Sequence, residues 1–199
     1  MEDIFHGELV RLGSDNLQTI AEALSRWHRD SEYARLLDDE PARLKSPERI
    51  KEWLEKDLEE GQHSHFFFTI RTLEEDKLIG FIGLFVTQWS HGNSWVGIGL
   101  GEREYWGKGY GTDAMRLILR YAFRELNLHR VSLGVFEYNP RAMRAYEKAG
   151  FQPEGRARKV VYREGLRRDI IHMGILRDEW EELMRNIDAS KNGNLLRFV

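Results

Sequence analysis

Three glycines, Gly107, Gly109 and Gly111, stand two apart between a strand-like segment and a helical one, with Lys108 between the first two. A helix N-terminus offers unpaired N–H groups and about half a positive charge. Glycine lets those groups approach an anion with no Cβ in the way, so the spacing suits a phosphate cradle. A ligand-free turn uses glycine in the same manner, and both readings stay open at this point. Two common cradles do not fit. A Walker A loop needs four residues between its glycines and a Ser or Thr after its Lys. Here Gly101 and Gly107 enclose five residues, and Lys108 is followed by Gly109. The dinucleotide fingerprint G-x-G-x-x-G opens a parallel βαβ unit, whereas this G-x-G-x-G follows short hairpins.

A second glycine set alternates with apolar residues: Gly97, Gly99 and Gly101 against Val96, Ile98 and Leu100. Side chains alternate across a strand, so the two sets occupy opposite faces. The apolar face meets a core. The bare face either admits a slender ligand beside the backbone, with a bulge freeing main-chain groups, or takes close packing from an aromatic side chain. Three further groups carry weaker signals. His63 and His65 form H-x-H, two metal ligands lacking a third, and read as surface histidines. Six basic residues between Arg156 and Arg168 read as a solvated strand pair, with attraction of an acidic substrate or a phosphate as the alternative. Asp38, Asp39 and Glu40 form an acidic loop that could draw a cationic ligand such as a polyamine.

The elements that position these residues follow from periodicity and punctuation. Residues 8–13 read as an opening strand, and Leu17, Ile20, Ala21 and Leu24 as the face of a helix over 14–27, followed by a loop through Glu40. Ser46 and Pro47 predict a helix start, and Gly61 its stop. Segments 65–72, 77–89 and 94–101 are joined by short turns and predict three antiparallel strands. A helix over 109–127, a strand over 130–138, and a helix between Asn139-Pro140 and Gly150 come next. Two strands around Glu164-Gly165 and a last amphipathic helix complete one α+β domain over 1–187, with 188–199 as a C-terminal tail.

Bulk properties narrow the classes. The chain has 199 residues, 41% hydrophobic and 32% charged, with six Trp and ten Phe, which suits one folded domain. A net charge of −3 argues against a general nucleic-acid binder. There is no cysteine, hence no disulfide, Cys-based zinc site or thiol nucleophile. The longest apolar run, LIGFIGLFV at 78–86, is about half a membrane span, and MEDIFHGELV shows no signal-peptide pattern. A soluble cytoplasmic protein without a membrane partner is the expectation.

YWGKGYGTDA at 105–114, followed by EYNPRAMRAYEKAGF at 137–151, resembles the GNAT superfamily of acetyl-CoA-dependent N-acetyltransferases, nearest to its ribosomal-protein and spermidine branches. The order of elements over residues 8–177 matches as well. The resemblance implies a mixed α/β GNAT fold: a central, mostly antiparallel twisted sheet with a splayed strand pair, flanked by helices. It implies acetyl-CoA as co-substrate, no metal, and acetyl transfer to a primary amine by direct attack. The acceptor is a small molecule, such as a polyamine, or a protein N-terminus. A silent acyl-CoA sensor on the same fold is the alternative, and the last helix offers a face for a homodimer. The family cradle, Q/R-x-x-G-x-G/A, falls on Trp106, Gly107, Lys108, Gly109, Tyr110 and Gly111, with Thr112 following. Trp106 replaces the usual Gln or Arg. The resemblance places the cofactor arm along Ile98, Gly99 and Leu100, with a contact from Asn139, itself also a helix cap.

Transfer to an amine needs a neutral nucleophile and a protonated leaving thiolate. A Lys-like amine has a pKa near ~10.4, a thiol near ~8.5 and a Tyr near ~10, so a well-placed tyrosine can supply that proton. Tyr146 matches the family's motif tyrosine; without the motif it would read as a packed core residue. For the base, Glu102 ends the glycine strand, Glu137 ends the next, and His172 lies in the last strand. Glu102 borders the expected slot, and a water relay is the alternative.

Overall fold

The computed structural model describes residues 3–61 and 63–195. The chain opens with β1 (Val10–Gly13), α1 (Leu17–Trp27), α2 (Ser31–Leu37) and α3 (Pro47–Glu60). The meander β2 (His65–Thr72), β3 (Leu78–Gln88) and β4 (Asn93–Leu100) follows, then α4 (Tyr110–Arg120), β5 (Arg130–Phe136) and α5 (Pro140–Ala149). The hairpin β6 (Gln152–Arg163) and β7 (Leu166–Leu176) leads into α6 (Arg177–Leu195). Among the described residues the strands form one sheet in the order β1-β2-β3-β4-β5-β7-β6, antiparallel except at β4–β5.

That exception shapes the molecule. β4 and β5 run parallel and pair only at Asn93–Arg130, Ser94–Val131 and Trp95–Ser132. Beyond these pairs each strand stays bound on its far side. β4 follows β3 through Leu100, and β5 follows β7 through Phe136. The two strands therefore part and leave facing edges unpaired. The register of β4 on β3 runs unbroken from Ser94 to Leu100. The free main-chain groups thus come from this parting; within 94–100 there is no bulge, and only at the strand's end do the N–H groups of Gly101 and Glu102 share the Ile79 carbonyl, at 2.9 and 3.4 Å.

Two cores flank the sheet. On one side Val96, Ile82, Leu84, Val131, Leu133 and Met173 meet the fully buried face of α4, including Met115, Ile118 and Leu119. On the other, Trp27, Tyr33, Ile50 and Leu54 from α1–α3 pack together with Phe67 and Phe81. α4 ends in a wider i→i+5 turn over 121–125, where Leu126 N–H donates to the Tyr121 carbonyl at 3.2 Å. The helix α2 replaces the loop expected over this stretch. Asp30 caps it by accepting from the N–H groups of Glu32 (3.0 Å) and Tyr33 (3.3 Å). α6 carries helical backbone through Leu195, into the segment expected as a tail; residues 196–199 lie outside the described residues.

The first turn of α4 is tied to the chain's start. The buried Asp113 carboxylate accepts from the N–H groups of Glu8 (3.2 Å), Leu9 (2.7 Å) and Val10 (3.0 Å). Asp113→Ala leaves these donors without their acceptor. Hydrogen bonds to a charged group contribute about 1.5–3 kcal/mol each in mutational series, and the set is not additive. We expect about 2–4 kcal/mol of lost stability, read as a lower urea midpoint at unchanged slope; an unmoved midpoint would show the strap to be dispensable.

Candidate active site

Where β4 and β5 part, a cavity of about 390 Å³ opens. One wall is β4, through Ile98, Gly99 and Leu100; the facing wall is α5, through Asn139, Ala142 and Tyr146. Gly107, Gly109, Gly111 and Thr112, at the start of α4, form one end. Tyr33, Leu36 and Leu37 of α2 border it as well.

The cradle end is built from backbone. Gly107 and Gly109 have φ of +72° and +97°, the left-handed region that side chains avoid. Gly109 caps α4 through its carbonyl, which accepts from Asp113 N–H at 3.0 Å, and among the described residues no side chain caps the helix by a hydrogen bond. The N–H groups of Tyr110, Gly111 and Thr112 have no intrahelical acceptor, as in any first helical turn. A Cβ at Gly107 would meet nothing within 4 Å, so open space adjoins the turn.

Trp106 joins both sides of the site. Its Nε1–H donates to the Leu100 carbonyl at 2.7 Å. The guanidinium of Arg103 lies 4.9 Å from the ring centroid and that of Arg141 3.9 Å. Arg103 is fixed in turn by Asp30 and, at 2.7 Å, by Glu32. Burial weakens the hold of Arg141 on its proton; Glu32 opposes this, while Arg103 and Arg144 add to it.

Two phenols border the cavity. Burial pushes the Tyr146 hydroxyl up to about 12, so it remains a proton donor throughout the neutral range. Its ring packs 6.2 Å from that of Phe151. Tyr33 is 3% exposed, and its hydroxyl has no hydrogen-bond partner among the described residues. Burial raises its proton affinity too.

A family model for the acetyltransferase (GNAT) domain matches residues 12–152. The chain belongs to the GNAT acetyltransferases. The probable N-acetyltransferase YjcK of Bacillus subtilis (strain 168) is 40% identical over 135 residues, 67% of this chain and 72% of its own length. The spermidine N(1)-acetyltransferase of Vibrio cholerae serotype O1 is 32% identical over 129 residues, 62% of this chain and 74% of its own. A crystal structure of a Vibrio cholerae spermidine N-acetyltransferase in complex with CoA and spermine superposes with a TM-score of 0.76. It is 23% identical, over 86% of this chain and 97% of that one, and shows a shared fold.

As a GNAT enzyme, the chain is an acyl-CoA-dependent N-acetyltransferase with acetyl-CoA as co-substrate. The GNAT cavity gathers Ile98, Gly99, Leu100, Trp106, Gly107, Gly109, Gly111, Thr112, Asn139 and Tyr146 from the residues singled out in the sequence. The side chains of Lys108 and Tyr110 do not line it; Lys108 is exposed and Tyr110 packs edge-on against Tyr105 at 4.9 Å. Asn139 Oδ1 accepts from Ala142 N–H at 3.2 Å, capping α5.

Glu102 also stands outside the lining residues. One of its oxygens accepts from Arg26 and from the Trp27 indole, each at 2.8 Å. Burial works to raise its pKa, but the bonds from Trp27 and Arg26 outweigh it and hold the carboxyl below its usual range. Glu137 lies between Arg156 and Arg168, at 3.6 and 3.7 Å. His172 stacks edge-on against Trp95 at 5.9 Å. The alternating glycines divide in use. A Cβ at Gly101 would enter the Trp27 ring, and one at Gly99 would press on Phe81 and the Tyr33 hydroxyl, so these two serve aromatic packing. Gly97 faces open space.

The basic hairpin is largely engaged: Arg156 pairs with Asp169 at 2.8 Å, and Arg163 donates to the carbonyls of Asp38 and Glu40. Four cations line the cavity, Arg116, Arg141, Arg144 and Lys148, none of them a candidate site residue from the sequence. The i, i+3, i+7 spacing of Arg141, Arg144 and Lys148 on α5 was visible, but a solvated helix face has the same spacing. Among the described residues no three potential metal ligands gather, and no helix is long and apolar enough to cross a membrane.

Proposed function

We propose that this acetyltransferase seats the diphosphate of acetyl-CoA on the N–H groups of residues 107–112 and lays the pantetheine arm along Ile98, Gly99 and Leu100. Tyr146 gives its proton to the leaving sulfur as a primary amine attacks the thioester carbon. The parting of β4 from β5 beside an open helix N-terminus carries this reading, because it leaves strand groups and helix N–H groups unpaired in one cavity. The arm's amides can pair with those strand groups, and the diphosphate with the helix end. Lys108 and Tyr110 take part through main chain, and Asn139 borders the arm while capping α5.

Tyr146 faces the thiolate because the cavity wall of α5 holds it there, and its neutral phenol suits a donor. The amine enters from the α2 side, past Tyr33 and Leu37. Its proton leaves through water: Glu102, engaged by Arg26 and Trp27 and held more acidic, is the weaker base. The acceptor is a primary amine, either a small molecule such as the spermidine that names the Vibrio cholerae relatives, or a protein N-terminus.

Steady-state CoA release with a panel of amines, each product checked by mass spectrometry, tests the reading. At least one primary amine gains the mass of one acetyl group with no protein-bound acyl intermediate, and its tertiary analogue does not react. Saturable CoA binding with no turnover across polyamines, peptides and small amines would instead mark a sensor.

A further inference from the structure

Gly97 differs from Gly99 and Gly101 in meeting no side chain. Trp95, Gly97 and Gly99 share the sheet face on which Tyr33, Leu37 and Phe81 pack, and their partners on β3 are Phe85, Gly83 and Phe81. Past the last β4–β5 pair, Trp95–Ser132, the next residue of β5 on that face is Gly134. Gly97 therefore stands at the fork with a glycine on either side. Rings overhang each of its neighbours. The Phe85 ring lies 3.2 Å from where a Cβ on Gly83 would be, Trp95 comes to 4.0 Å from that of Gly134, and Phe81 covers Gly99. A Cβ on Gly97 itself would meet nothing within 4 Å. The outcome is a hollow with a glycine floor and aromatic walls, of which Trp95 and Phe85 remain 41% and 37% exposed.

Exposed rings around bare backbone leave apolar surface in water until a ligand fills the space. The hollow is continuous with the active-site cavity, because Gly99, Tyr33 and Leu37 border both. At that junction the Tyr33 hydroxyl, buried with no hydrogen-bond partner among the described residues, stands 2.8 Å from the Gly99 Cβ position. Two residues of strand, about 7 Å, separate Gly99 from Gly97. An unpaired polar atom at one end and an aromatic hollow at the other match a molecule with an amine at one end and a flat apolar body at the other. The walls Phe81, Phe85 and Trp95 carry no carboxylate, so a second ammonium would lose its water without gaining a counter-ion there. The same rings offer the amides of a peptide little to pair with. We propose that the acceptor is a small arylalkylamine, a primary amine joined by a short chain to an aromatic ring; this rests on the acetyl transfer proposed above. The ring lies on Gly97 between Phe85 and Trp95. The amine N–H donates to the Tyr33 oxygen, which leaves the nitrogen lone pair free for the thioester carbon.

Initial rates at saturating acetyl-CoA with 2-phenylethylamine, spermidine and a tripeptide beginning with phenylalanine test the hollow. The wild type favours 2-phenylethylamine over either rival by at least about tenfold in kcat/KM. Gly97→Leu fills the hollow without a clash, and Trp95→Ala removes a wall. Each raises the KM for 2-phenylethylamine at least about tenfold while kcat changes by less than about threefold. Both keep the wild-type dissociation constant for coenzyme A, which reports intact folding. A preference for spermidine, with the exposed Asp38, Asp39 and Glu40 beyond Leu37 as its counter-charge, overturns the arylalkylamine and leaves acetyl transfer standing. A preference for the peptide, or an unmoved KM in both variants, does the same. Coenzyme A binding with no transfer to any amine overturns the transfer and the hollow's role together.

Discussion

Tyr146→Phe lowers kcat by about 10²–10³-fold at saturating substrates, the range for loss of a positioned general acid. The variant keeps the ring against Phe151 and removes only the hydroxyl, so coenzyme A affinity stays within a factor of a few. A packing role predicts the reverse: lowered stability with little change in turnover. The pH profile adds a second readout. The acid form of a phenol near 12 persists through the neutral range, so the rising limb of the wild-type profile belongs to deprotonation of the acceptor amine. The phenol has a stability signature too. Its pKa is raised in the folded state above an unfolded value near ~10, so the folded protein holds the proton more tightly. That contribution is complete below about pH 10 and is lost as pH rises toward the folded value of about 12. In Tyr146→Phe this part of the alkaline loss disappears. A kcat close to wild type removes Tyr146 from the chemistry.

Gly109→Val raises the coenzyme A dissociation constant at least about 100-fold. Two lost charge-assisted hydrogen bonds, at about 1.5–3 kcal/mol each, suffice for that factor. The φ of +97° excludes a β-branched residue, and its Cβ would stand 3.2 Å from Leu9 Cδ1, so the turn must reshape. Strain of about 1–3 kcal/mol lowers the melting temperature as well. Circular dichroism therefore accompanies the titration, and Gly107→Ala serves as a milder companion, since a methyl there meets nothing within 4 Å. Gly155→Ala is the control: its Cβ also meets open space, on β6, remote from the cradle. Unchanged affinity in folded Gly109→Val would show that the phosphates are held elsewhere.

Local signals carried far in this chain, and long-range ones did not. Asn139-Pro140 and Gly150 bracket α5 as expected, Asn139 capping by side chain and Gly150 stopping the helix at φ +107°. The glycine turn before α4 was legible because positive φ at Gly107 and Gly109 is a demand on residue type. α2 was not, since seven residues show too little periodicity and its cap, Asp30, depends on Arg103 from far along the chain. The role of Gly101 was equally hidden, because only the fold brings Trp27 over it. The splayed strand pair came from the resemblance and not from the residues, because sequence shows which segments are strands, while the parting of β4 from β5 depends on their partners β3 and β7. Tyr33 and the cations on α5 needed the cavity to become visible.

The Asp113 strap links the two extremes of the active-site half. Leu9, whose amide it holds, also supplies the methyl group nearest Gly109. Residues that never touch a reacting atom therefore form the underside of the proposed phosphate seat, across 104 positions of sequence. Protease trimming up to Leu9 would accordingly impair coenzyme A retention before it harmed the acceptor end, so any affinity tag belongs at the opposite terminus.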